Sequence, residues 1–145
     1  VNLMDIIIGA ECAAQFDDLT RLNIDDQLTR QGKNDWPNQF RTSRFTPAVE
    51  YINAQRHRYL LMQGVNEVMT KFDAIICPSR GGGNQSAITN LTGHPVVCVP
   101  TGFDAKLNLP TGISFVGNLY DEGTILRIAA YYQSLTPHEE KHPAF

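Results

Sequence analysis

Residues 46–72 constrain the fold more than any other stretch. Tyr51, Ala54, Arg58, Leu61, Val65, Val68 and Phe72 recur at steps of three and four, the spacing that aligns side chains along one side of an α-helix. Thr46 is a candidate N-cap, Pro47 suits the first helical position, and Glu50 stands in the first turn. The pattern predicts a long helix over 46–72, and a helix with one apolar stripe needs another layer to bury it against.

That layer is legible downstream. "FDAIICPS" reads as a short buried strand ended by Pro78, and "PVVCVP" as a second strand over 96–99, fenced by Pro95 and Pro100, neither of which suits mid-sheet. "ISFVG" supplies a third strand, reached by a wide hairpin. Between the first two, "SAITNLTGHP" fits a short helix from Ser86 to a stop at Gly93. Asp121 can cap a helix over 122–134, with Tyr120 and Ile125 placed as a hydrophobic staple. Upstream, apolar periodicity over 3–28 predicts one or two helices, whereas "TRQGKNDWPNQFRTSR", with Gly32 and Pro37, lacks a period and reads as a loop. The expectation is an α/β fold: a mixed β-sheet of about three strands packed by helices, in a single globular unit over 1–145. Its parts are 1–30 helical, 31–45 loop, 46–72 long helix, 73–117 strands and loops, 121–134 helix and 135–145 tail.

Composition narrows the function classes. A chain of 145 residues suits one ordinary domain and one hydrophobic core. Twelve Lys and Arg against fifteen acids, a net charge of -3, give no basic field for nucleic acid, so no direct nucleic-acid binding is expected. Cys12, Cys77 and Cys98 are odd in number, lie among apolar neighbours and lack metal-ribbon spacing, which predicts reduced thiols and a cytoplasmic protein. The longest apolar runs fall far short of the roughly 20 residues of a membrane helix, and no signal peptide is expected. The opening "VNLMDIIIGAECAAQF" has no initiator Met and begins in mid-pattern, as in a chain that starts partway through a longer protein. An apolar surface shared with the remainder would then be exposed, and self-association would cover it.

Three motifs carry chemistry on their face. "CPSRGGGNQS" fails as a Walker loop, because no lysine follows Gly83 until Lys106, and as a dinucleotide fingerprint, because Ser86 stands where the third glycine belongs. Ser79 and Ser86 lack the surroundings of a nucleophile elbow, and His57, His94, His138 and His142 lie in unrelated contexts, so no catalytic residue is assigned within the chain. Glycines at a strand end still permit close approach to a ligand. "HEEKH", His138 to His142, has the letters of a zinc-protease helix but is bracketed by Pro137 and Pro143 and shows no third ligand; it reads as a solvated tail, and no metal or cofactor is expected. Arg58, charged in the middle of an apolar stripe, either snorkels or clamps a substrate carboxylate with its planar fork.

Taken in order, "AVEYINAQRHRYLLM", "FDAIICPS", "NLTGHPVVCVPTGF" and "LPTGISFVGNLYDEGTILRIAAYYQ" resemble the C-terminal portion of the amidase signature family, which includes the A subunit of aminoacyl-tRNA amidotransferases. The resemblance covers 48–133 clearly; its most specific pieces are Asn90, Gly93, Pro95, Pro100 and Gly102, then the Leu-Pro-x-Gly-Ile stretch over 109–113 and Gly117. It implies a partial amidase-signature fold and an amide-cleaving parent that uses a serine, a second serine in a cis peptide and a lysine, without metal. The Gly/Ser-rich stretch carrying those serines precedes the region matched here and is absent from this sequence. The resemblance places Arg58 on a helix arginine that holds the substrate's charged end, and "GGGNQSA" on a variable loop near the substrate. Gly83 stands seven residues before Asn90, where the A subunits usually carry an aspartate, which favours an amidase of other substrate preference.

The functional expectation is therefore the C-terminal part of a serine-dependent amidase, inactive by itself, with Arg58 as its substrate-binding residue. Its partners would be a small-molecule amide substrate, the missing N-terminal part of the same enzyme, and amidotransferase partner subunits if the parent feeds ammonia to a tRNA-linked acceptor. The alternative is a non-catalytic binding or interaction module derived from the same fold.

Overall fold

The computed structural model describes residues 2–79 and 83–141, and the chain divides into two compact units, Val1–Leu60 and Leu61–Phe145. The division falls inside the long helix, which the sequence pattern runs through without a break.

In the first unit, α1 (Leu3–Gln15) is capped by Asn2, whose side chain accepts the Met4 N–H at 3.2 Å. A short α2 (Asp17–Arg21) and a 3-10 turn (Ile24–Gln27) follow. Residues 31–45, expected as a loop, contain α3 (Trp36–Ser43). The reason is local: Asp35 closes a turn by accepting the Gly32 N–H at 2.8 Å, and Pro37 occupies the first turn of a helix, where its missing N–H costs nothing. The helix presents Phe40 to the core, where its ring lies 4.9 Å from Phe16 and 5.7 Å from Trp36. Ile7, Ala13 and Ala54 are buried as well. Asp25 is only 1% exposed, and Arg41 Nε lies 2.7 Å from its Oδ2, a pairing of charges without an aligned hydrogen bond at that oxygen. Arg41 also reaches Asp26 at 2.6 Å.

The long helix α4 (Ala48–Met69) fills the segment whose period of three and four predicted it. Its first bonds return to Pro47, whose carbonyl accepts the Tyr51 N–H at 3.2 Å, so the cap is Pro47 rather than Thr46. Ala54 is the buried residue of its part in the first unit, and Met69, not the half-exposed Val68, of its part in the second.

The second unit is built on β1 (Ala74–Pro78), α5 (Gln85–Thr92), β2 (Val96–Phe103), β3 (Pro110–Gly117) and α6 (Glu122–Ser134). The helix α5 starts behind Asn84, two residues ahead of the expected cap at Ser86. The strand order is β1-β3-β2, with both pairings antiparallel. The expected mixed sheet is therefore antiparallel among the described residues: β1 and β2 point the same way but are separated by β3. This order also explains the prolines. Pro100 lies within β2, opposite Gly112, where the sequence had placed it outside the strand; β2 is an edge strand with a register irregularity just beyond Pro100, so its missing donor leaves no interior bond unmade.

One face of the sheet is dry. Val99 and Phe115 pack with Ile125 and Ala129 of α6, flanked by Val97, Ile113 and Tyr132, whose ring meets Phe115 edge-on at 6.1 Å. Gly117 lets α6 approach, since a Cβ there would lie 2.6 Å from Ile125 Cγ2. The expected staple is not formed: Tyr120 is 93% exposed, and Ile125 is held by the sheet instead. No helix among the described residues is long and apolar enough to cross a membrane.

Candidate functional site

The face of the sheet opposite α6 carries a polar row beside the apolar Ile75, Val116 and Val96. Register places Cys77, Ser114 and Cys98 in one row across β1, β3 and β2, and residues in register share a face. Ser79 follows β1 and joins this row: its N–H donates to the Gly112 carbonyl at 3.0 Å, and its Oγ lies 2.8 Å from Cys98 Sγ and 2.9 Å from Ser114 Oγ. Gly112 keeps this junction open, since a Cβ there would lie 3.3 Å from Ser79 Oγ and 2.9 Å from the Val99 carbonyl. Burial pushes the Cys77 thiol up from its ordinary pKa, which keeps it protonated and unreactive.

Between this row and α5 lies a cleft of about 460 Å³, lined by Ser79, Ser86, Asn90, His94, Cys98 and Ser114 among others. Ser79 and Cys98 also border a larger depression, about 830 Å³, that extends to Leu107 and Leu109. At its rim Asp104 accepts the Leu107 and Lys106 backbone N–H groups, which hold its carboxyl below the usual range.

His94 is the most informative residue of the cleft. It is 4% exposed, and burial lowers its pKa from the ordinary histidine value, so the neutral imidazole is favoured. Its Nδ1 lies 2.8 Å from Thr92 Oγ1, and that hydroxyl lies 2.9 Å from the Ile88 carbonyl. The donor in the Thr92–His94 bond is set by the ring's tautomer: either Nδ1–H donates to Thr92 Oγ1, or the Thr92 hydroxyl donates to Nδ1 in place of the Ile88 carbonyl. Nε2 is buried and has no hydrogen-bond partner.

The structure thus gathers Ser79, Ser86 and His94, which the sequence left in separate contexts, onto one cleft, but it does not make them a catalytic pair. The partners of Ser79 Oγ are a thiol and a hydroxyl, and Nε2 of His94 contacts neither serine. Arg58 sits half-buried on α4 in the first unit. His57 faces its own helix backbone, with Nδ1 2.8 Å from the Asn53 carbonyl. Residues 138–141 lie beyond α6 and are not helical, which removes the geometry that a zinc helix needs; His142 falls outside the described residues. No group of potential metal ligands is present among the described residues. Arg80, Gly81 and Gly82 of the glycine run also fall outside them, whereas Gly83 adopts φ of 68° with open space around it. Sequence reasoning missed Cys98 and Ser114. The available signal was Ser114 itself, a polar residue inside the apolar run "ISFVG".

No family model matches the chain. Among curated proteins it is similar to the A subunit of glutamyl-tRNA(Gln) amidotransferase from Oceanobacillus iheyensis, 29% identical over 111 residues, which cover 64% of this chain and 22% of that protein. It is also similar to a fatty acid amide hydrolase of Medicago truncatula, 28% identical over 163 aligned positions, 95% of this chain and 26% of that one. The chain thus spans about a quarter of the length of these relatives. Among solved structures, a bacterial aryl acylamidase described as an amidase signature enzyme superposes with a TM-score of 0.72 at 18% identity, over 94% of this chain and 33% of that one, which shows the fold.

Proposed function

Since the homologues and structural neighbours of this chain are amidase signature enzymes, matched over a C-terminal part of them, we propose that it is the pocket-forming C-terminal segment of an amide-cleaving enzyme. The carrying observation is the cleft: it is walled by hydroxyls, a thiol, two amides and the His94 imidazole, yet among the described residues no base is hydrogen-bonded to its serines. Such a wall positions a substrate while the nucleophile comes from another part of the enzyme. Gly83, at the place of an aspartate in the A subunits, favours a free amidase over a glutamine-dependent ammonia donor. The fork of Arg58 receives the charged end of the substrate. The free thiols Cys12, Cys77 and Cys98 fit a cytoplasmic setting.

The test has two arms. The purified chain, offered a panel of aryl and alkyl amides, should show no turnover above background; turnover abolished by Ser79→Ala or Ser86→Ala would overturn the reading. In the full-length enzyme, Arg58→Ala should raise KM for an anionic amide and leave a neutral amide unchanged, and an unmoved KM for both would make Arg58 structural only.

A further inference from the structure

We propose that the groove between α1 and α3 in the first unit is a binding site for a small organic cation, held between the Trp36 indole and the Asp5 carboxylate. The site belongs to the first unit alone and stands whether or not the parent cleaves amides.

The groove is written into both helices at the same spacing. On α1, Asp5, Ile8, Gly9 and Cys12 follow at steps of three, one and three, which puts them on one face. On α3, Trp36, Gln39, Phe40 and Ser43 repeat those steps. The two faces enclose about 380 Å³. Gly9 fixes one end of the space: a Cβ there would stand 2.7 Å from Ser43 Oγ, so the helices approach closely at this pair and part from each other toward Trp36 and Asp5. The α1 side is not simply core left uncovered, because Ile7 and Ala13 supply the buried contacts of that helix while Ile8 stays exposed at the groove.

Two groups on its walls select a ligand of one sign. The Trp36 ring stacks on Phe40 at 5.7 Å, which occupies one face of the indole and holds it in place, yet the side chain remains 56% exposed and borders the groove. An indole presents an electron-rich face that attracts a cation within about 6 Å of the ring, more strongly than tyrosine or phenylalanine. Asp5, also exposed, brings a full negative charge to the same small space, so one molecule reaches both. The ring face and the carboxylate favour a cation together and disfavour an anion together. An alkylated ammonium suits them better than a metal ion: its charge is spread under methyl groups, it gives up little hydration, and its methyls pack on Ile8 and the indole.

Trp36 is the chain's sole tryptophan, so its emission, excited at wavelengths that tyrosine does not absorb, reports on this groove. The probes are choline and 3,3-dimethylbutan-1-ol, which has the same shape with carbon in place of the charged nitrogen. Each is titrated into the full chain at neutral pH and constant ionic strength, with calorimetry giving the affinities. Choline should bind saturably, change Trp36 emission over the same concentration range, and bind about tenfold more tightly than the alcohol, the ratio expected when a cation meets a partly desolvated aromatic face beside a carboxylate. Asp5→Asn, of nearly equal size, should remove most of that preference, and Trp36→Leu should abolish it. Equal affinity for choline and the alcohol in the unaltered chain, which requires no variant to fold, overturns the proposal. So does the absence of choline binding in calorimetry, choline binding that leaves Trp36 emission unmoved, or a preference undiminished in Asp5→Asn.

Discussion

Replacing Gly117 by alanine tests how closely α6 rests on the sheet. The added Cβ would stand 2.6 Å from Ile125 Cγ2, well inside van der Waals contact, with Pro95 Cγ at 3.5 Å behind it. Ile125 cannot swing away cheaply: Cγ2 branches directly from Cβ, which restricts the side chain at χ1, and the residue is 2% exposed in a packed core. Overpacking of this kind costs ~2 kcal/mol. For a chain of this size that lowers Tm by about 5 °C, at roughly 2–4 °C per kcal/mol. Gly64→Ala is the control, since nothing lies within 4 Å of its Cβ in the interior of α4, and it should stabilise by about 0.5–1 kcal/mol. Thermal unfolding followed by circular dichroism reads both. The decisive measurement is the cycle with Ile125→Ala, which by itself costs about 2–5 kcal/mol by opening a cavity. If the methyl group introduced by Gly117→Ala fills part of that space, the double variant loses less than the sum of the singles. Strict additivity would refute the reasoning, because it would mean the two positions do not touch.

Two further predictions concern charge. His94 has a lowered pKa when folded, so the unfolded chain takes up the proton first as pH falls through about 6.5, and stability should decline below that pH before the carboxylates titrate. Melting curves of the native chain and His94→Asn at pH 7.5 and 5.5 check this, and an equal pH slope in both would sink it. In the first unit, Arg41→Ala strands the buried Asp25 carboxylate and should cost about 3–5 kcal/mol, whereas Asp25→Ala should cost less because Arg41 keeps Asp26. Urea midpoints compare them; the reverse order would show that the pair is not what holds this turn.

How much was legible follows from where each signal lives. The helix over residues 48–69 was readable because its stripe repeats locally, and the α/β class because prolines and glycines mark off short apolar runs. The helix at Trp36–Ser43 was missed because a proline reads as a breaker until its position within the first turn is known. Pro100 was misread because tolerance at an edge depends on which strand lies beside it. The cleft was hidden for the same reason. Ser79, Cys98 and Ser114 belong to three separate stretches, and only the placement of β3 between β1 and β2 brings their side chains within hydrogen-bonding distance. The burial of His94 was equally out of reach, since it follows from its contact with Thr92 and the packing of α5 around it.

The central position of β3 also fixes an order of events during synthesis. Its partners, β1 and β2, are made first, yet neither pairs with the other, and Cys77 must wait for Ser114. A ribosome that has released the chain as far as Phe103 holds two strands with a gap between them. No ladder closes until the last strand emerges; β3 then pairs with β2 as a hairpin, whereas its ladder with β1 joins residues far apart in sequence, and such non-local pairing is slow and leaves a strand edge open to other chains. The interval between those two moments is when the edges of β1 and β2 are most open to pairing with other chains.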